Sequence, residues 1–380
     1  MHDADSIVVE RQDFAGLFEI LRSLGYAVVG PTVKDQAIVY DQLSQVDDLP
    51  IGWTDEQEAG HYRLRRRNDA ALFGYAVGPH SWKKFLHPPR LRLFQAERSE
   101  DGAMVFKQEP VEAPKYAFLG VRSCEAHAIA IQDRVFLEGA VADPTYRERR
   151  IGALLIAVNC GFPSSTCFCH SMKTGPGISQ NTKVDIELTE LLDDEGHRFV
   201  FQARSQKGQT IVDRLPARRT TRGDLDAAEA LVAEATETMT RELNAEGVRD
   251  LLYANLEHPR WDEVADRCLT CANCTMVCPT CFCTTVEDVT DITGDHAERW
   301  RRWDSCFTLD FSHMPGGSSR QTSKSRYRQW LTHKLATWHD QFGTSGCVGC
   351  GRCISWCPVG IDLTEEIQVM GQSTQGVPSS

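Results

Sequence analysis

Cys268, Cys271, Cys274 and Cys278 follow the spacing C-x2-C-x2-C-x3-C with Pro279 next, and Cys347, Cys350, Cys353 and Cys357 repeat it ahead of Pro358. Three thiolates two residues apart let one tight loop wrap three corners of an iron–sulfur cubane. The fourth cysteine, on a segment leading away, reaches a neighbouring cubane. The spacing therefore predicts two 4Fe-4S clusters with crossed ligation. Cys268, Cys271, Cys274 and Cys357 are expected on one, and Cys347, Cys350, Cys353 and Cys278 on the other. Zinc sites use paired C-x2-C knuckles around one tetrahedral ion, and a triple spacing ending in C-x3-C-P suits that geometry poorly. The chemistry is electron transfer, for which no catalytic residue is required.

Eleven of the 15 cysteines lie between Cys268 and Cys357. In a reducing compartment such crowding reads as metal ligation rather than disulfides. The sequence TCFC occurs at 166–169 and again at 280–283. A third cluster would draw on Cys281, Cys283 and Cys306, or on Cys160, Cys167 and Cys169; buried free thiols are the plainer reading of either set. His127 and His170 stand near cysteines, but structural roles are favoured for both. Arg122 and Arg65–Arg67 offer positive charge to an anion, with salt-bridged or solvated roles again preferred.

The cysteine runs need elements to position them. Between Cys278 and Cys347 lie 68 residues, so the cluster domain is expected to carry a large insertion, and its segment 299–334 is locally +6. That charge would offset thiolate-ligated clusters, dock an acidic partner, or simply face water. Upstream, apolar runs at 26–29, 72–77, 116–121 and 153–158 alternate with Gly, Pro and charged breaks and read as strands. Helical periodicity appears over 13–24 and 124–137. The stretch 214–222 reads as a polar linker. A long amphipathic helix is expected from Asp224, with Gly247 as its stop and a short second helix running to Leu256. The fold class is thus α+β or α/β: an N-terminal mixed α/β domain (1–222), a helical connector (223–260) and a helical, loop-rich two-cluster ferredoxin-type domain (261–380).

Composition narrows the function. The chain has 380 residues, 41 Lys and Arg against 53 Asp and Glu, and a net charge of −12. Nucleic-acid binding, which rests on neutralising phosphates, is a poor match. No dinucleotide fingerprint or GxxxxGK[ST] loop occurs, so flavin is not expected in this chain. The opening MHDADSIVVER lacks the basic start and apolar core of a secretory signal. No apolar run approaches the roughly 20 residues of a membrane span. A cytoplasmic protein is expected.

The phrases GPHSWKKFLHPP, FLGVRSCEAHAI, DPTYRERR, NCGFPSSTCFCHSMKTGPG, HPRWDEVADRCLTCANCTMVCPTCFC, WDSC and CVGCGRCISWCPVGID occur in order from Gly78 to Asp362. In them the chain resembles the beta subunits of cytoplasmic NADP-linked nickel-iron hydrogenases, also called sulfhydrogenases, and the related A subunit of anaerobic sulfite reductase. The resemblance implies an iron–sulfur subunit working with a nickel-iron catalytic subunit, a small iron–sulfur subunit and a flavin subunit handling NADP(H). All eight cysteines match the family's cluster ligands. Two other readings remain: the electron-transfer subunit of a sulfite or sulfur reductase, and a self-contained flavin-binding iron–sulfur oxidoreductase.

Overall fold

The computed structural model describes residues 6–375; Met1–Asp5, part of the N-terminal segment read above, lie outside them. Seven strands of the main sheet come from the first 203 residues: β1 (Ser6–Glu10), β2 (Ala27–Lys34), β3 (Ala37–Gln42), and, after two small hairpins, the four described below. The hairpins are β4 (Trp53–Glu58) with β5 (His61–Arg66), and β6 (Arg90–Arg98) with β7 (Met104–Gln108). The main sheet continues with β8 (Tyr116–Val121), β9 (Leu154–Val158), β10 (Ile186–Asp193) and β11 (Gly196–Ala203), and β12 (Arg218–Arg219) adds an eighth strand.

The sheet order is β12-β1-β11-β10-β9-β8-β2-β3. Its centre, β10-β9-β8-β2, is parallel and its edges are antiparallel. Parallel strands are covered on both faces, which explains their unbroken apolar sequences. On β9, Leu154, Ile156 and Val158 point to the core containing Phe14, Leu17 and Phe18, while Leu155 and Ala157 point to the one containing Trp82, Ile129 and Tyr146. The helices Ser123–Leu137 and Pro144–Gly152 form the crossover from β8 to β9.

Three sequence expectations are corrected. The run at 72–77 is not a strand. Its backbone is satisfied by carboxylates instead: the Leu72 and Phe73 amides donate to Glu190 and the Ala76 amide donates to Asp55. The stretch 214–222 is no free linker, because Arg218–Arg219 pairs with β1 and Arg218 binds Glu10 and Asp224. The connector helix spans Arg222–Glu237 and stops ten residues before Gly247, which instead caps the start of Val248–Ala254. Thr236 and Thr238 return their hydroxyls to the carbonyls of Val232 and Ala235, a local bonding that competes with helix continuation. Arg241 then ties the departing chain to Asp362 at 2.6 Å.

The C-terminal region is helical, with Arg260–Arg267, Ser323–Thr332 and Leu363–Gln375 around a core of Trp261, Tyr327, Trp330, Leu335 and Ile354. Its long insertion opens with β13 (Thr284–Thr290) and β14 (His296–Trp303). These strands join β6 and β7 in one four-stranded sheet, ordered β13-β14-β6-β7. Among the described residues no helix is long and apolar enough to cross a membrane.

Candidate metal centre

The two cysteine loops share one backbone design. Thr270 and Ala272 in the first loop take φ of 50° and 66°, and Gly349 and Gly351, at the same positions of the second, take 66° and 74°. The reversals fold each loop back on its first sulfur: the Thr270 amide donates to Cys268 Sγ and the Gly349 amide to Cys347 Sγ, both at 3.4 Å. A short helix follows each, Asn273–Met276 and Arg352–Ser355. The Ile361 amide adds a bond to Cys357 Sγ at 3.3 Å. Amide bonds of this kind favour the thiolate form that iron requires.

Cys268, Cys271, Cys274 and Cys357 line a single cavity, which Cys353 also touches; its walls include Phe307, Tyr327, Trp330, Val359 and Ile361. The set is drawn from both loops. Cys347, Cys350 and Cys353 lie close to Cys278, and burial is the main effect raising their thiol pKa values. Cys278 behaves oppositely: the Cys281 thiol donates to it, outweighing burial, and Lys334 lowers it further. Lys334 is itself buried, and its ammonium stands 3.2 Å from Cys278 Sγ and 3.5 Å from Cys281 Sγ. Burial opposes the charge, yet these sulfurs hold its pKa above the ordinary lysine value. Among the described residues no three Cys, His, Asp or Glu side chains gather closely enough for a single metal ion. A cubane distributes four thiolates over four irons, and an apolar cavity with thiols from both loops and amides aimed at sulfur fits that group.

Lys334 lies in the π-helical turn His333–Thr337. It is the member of the basic segment 299–334 that faces the cysteines. Five of the other seven are in ion pairs: Arg299–Asp288, Arg301–Asp143, Arg302–Glu287, Lys324–Asp262 and Arg328–Glu257. Most of the +6 is therefore neutralised within the chain.

The first TCFC packs on the second cysteine loop, a role the sequence did not disclose. The Phe168 amide donates to the Gly349 carbonyl at 2.8 Å, and Thr166 Oγ1 lies 2.8 Å from Ser355 Oγ. Cys167 Sγ lies 3.2 Å from Ser164 Oγ and Cys169 faces Met239, so both thiols are packed and buried. Cys160 is half-buried in the turn after β9. The second TCFC follows Cys278, and its Thr280 hydroxyl donates to the Gly346 carbonyl at 2.6 Å.

Sequence reasoning also missed a buried ion pair that joins this loop to the N-terminal sheet. Arg352, between Cys350 and Cys353, pairs with Glu125 and donates to the carbonyls of Gly78 and His80. The other Glu125 oxygen accepts from Tyr40, Trp82 and the Arg122 amide. The phrases at 78–90 and 120–130 thus form a socket for one arginine. Arg122 is buried and donates to the carbonyls of Phe73, Tyr75 and Asn159, so it is neither salt-bridged nor solvated as expected but a backbone-binding cation in the interior. Arg65 and Arg67 pair with Glu56 and Asp69, and Arg66 stacks on Trp53. His127 bonds to Thr182 and His170 is exposed.

Residues 267–361 match the 4Fe-4S dicluster domain. The chain is 30% identical over 373 residues to sulfhydrogenase 2 subunit beta of Pyrococcus furiosus, across 96% of this chain and 97% of that protein. The chain belongs to the sulfhydrogenase beta-subunit family. In this member of the sulfhydrogenase beta-subunit family the match to the dicluster domain takes in both cysteine loops and the insertion between them, but not the Glu125 socket or the first TCFC that pack against them. No solved structure matches the chain.

Proposed function

We propose that the chain is the iron–sulfur electron-transfer subunit of a cytoplasmic NADP-linked nickel-iron hydrogenase. It would relay electrons between a catalytic nickel-iron subunit, a small iron–sulfur subunit and a flavin subunit that handles NADP(H). Two 4Fe-4S clusters supply the one-electron chemistry when bound. Cys268, Cys271, Cys274 and Cys357 hold one, and Cys347, Cys350, Cys353 and Cys278 the other. Residues 1–222 serve as the docking and shielding body, 223–260 as connector and 261–380 as the dicluster unit.

The observation that carries this reading is the cavity shared by Cys268, Cys271, Cys274 and Cys357, since crossed ligation requires those four from two loops, with Cys274 and Cys357 lying 83 positions apart. Around it the chain's own residues exclude water with Phe307, Tyr327 and Trp330 and aim amides at sulfur. Both effects govern cluster potential. The test is anaerobic purification of the native complex with metal analysis. Cys274→Ser and Cys347→Ser are each expected to remove about four irons with their sulfide, while Cys124→Ser removes none. Nickel and flavin should co-purify with the chain. Unchanged iron in both ligand variants would end the proposal.

A further inference from the structure

Lys83 is only 4% exposed, and among the described residues its ammonium has no carboxylate partner. It donates to the Cys281 carbonyl at 3.1 Å and lies 4.0 Å over the Trp303 ring. A buried ammonium is costly unless negative charge accompanies it. The carbonyl it binds belongs to a cysteine-rich turn. Cys281 carries the carbonyl that Lys83 binds, and Cys281 Sγ is also 3.5 Å from the second buried ammonium, Lys334. Cys283 closes the base of the β13–β14 hairpin, where its carbonyl accepts from the Asp304 amide at 2.8 Å. That pairing brings round Cys306, which is buried two residues beyond Asp304. Cys281, Cys283 and, 23 residues on, Cys306 thus border a region that holds two buried lysines.

We infer that Cys281, Cys283 and Cys306 hold a third iron–sulfur cluster, with Lys83 as its buried counter-cation. The inference rests on the two-cluster reading and extends it. Soft thiolates select zinc, copper(I) or iron–sulfur centres. The position of the group argues for the last. Lys334 touches Cys278 of the second cluster set and Cys281 of this group at once, so a redox centre here adjoins the existing chain of carriers. Three thiols lose their protons to solvent on ligation, and the remaining coordination position is left to a non-cysteine ligand. The other spare set is less suited: Cys167 and Cys169 contact Ser164 and Met239, and among the described residues no lysine or arginine hydrogen-bonds to either sulfur.

The test uses the native complex purified anaerobically. Wild-type chain should carry about twelve irons, and Cys283→Ser/Cys306→Ser about eight, with Cys274→Ser losing its own four independently. Lys83→Gln should keep the iron but shift the midpoint potential of the double-variant-sensitive paramagnetic signal to more negative values. A wild-type content of about eight irons overturns the inference, as does loss of zinc rather than iron from the double variant. An iron content lowered by Cys274→Ser but not by Cys283→Ser/Cys306→Ser would overturn this third centre alone. Unchanged iron in both would remove the two-cluster reading beneath it.

Discussion

Arg352 and Lys334 are the two cations buried against the second cysteine loop, and they act in different ways. Arg352 is fully buried and its charge is met by Glu125, while Tyr40 and Trp82 satisfy the other carboxylate oxygen. Removing one partner of such a pair strands the other in a low dielectric, at about 3–5 kcal/mol. Glu125→Ala should therefore lower the unfolding free energy of the full chain by about that amount, read from its denaturant midpoint. A change under about 1 kcal/mol would show that water reaches Arg352. Lys334 donates to a sulfur in place of a carboxylate. Charge-assisted bonds of this kind contribute about 1.5–3 kcal/mol, so Lys334→Met should move the second cluster's potential about 60–130 mV more negative, measured by redox titration of its paramagnetic signal. An unmoved potential would mean that the ammonium is only a packing group. Neither role is legible in a one-dimensional sequence: Glu125 sits 227 positions from Arg352, and nothing about GVRSCEAH announces its partner.

At the scale of elements, the two loops use the same left-handed positions with different residues, for a packing reason. A Cβ on Gly351 would lie 2.5 Å from the Thr166 carbonyl oxygen, and one on Gly349 would lie 2.6 Å from that of Phe168. The TCFC segment at 166–169 is pressed against that loop and leaves no room for a side chain. The first loop instead carries Thr270 and Ala272 at positive φ, with Ala272 buried in the C-terminal core, a conformation that costs L-residues roughly 1–2 kcal/mol. Gly351→Ala should thus destabilise the chain by more than about 2 kcal/mol and weaken iron retention, whereas Ala272→Gly should be neutral or mildly stabilising. Equal effects from the two substitutions, in denaturation midpoint and iron content, would refute the packing argument. The strands at 116–121 and 154–158 were readable because burial on both faces imposes continuous apolar runs. The run at 72–77 looked the same, and only the carboxylates of Asp55 and Glu190 make it irregular.

For the whole molecule, the two halves differ in what closes their cores. The main sheet has apolar residues on both faces, among them Leu119, Ile156, Phe118 and Leu155. The C-terminal core packs directly against Cys268, Cys274, Cys347, Cys353 and Cys357. Where ligands border a core, metal binding energy becomes folding energy. Anaerobic removal of iron by a chelator should collapse hydrogen-exchange protection in the helices Arg260–Arg267 and Ser323–Thr332 while β8 and β9 remain protected. Loss of protection throughout, or none anywhere, would contradict this division of stability.

The order of the cysteines alone announced the 4Fe-4S chemistry, because a loop's reach between ligands is a local property that spacing determines. Apolar runs and helical periods announced the sheet and its crossover for the same reason, since each element forms from neighbours along the chain. What required the tertiary structure was every long-range match: the arginine socket, the TCFC segment that demands glycine, the pairing of β6 with β14, and the bond from the Asp304 amide to the Cys283 carbonyl that brings Cys306 round. Those depend on which surfaces come together once burial has folded the elements. A residue's type and position do not encode its partner across hundreds of residues; packing does.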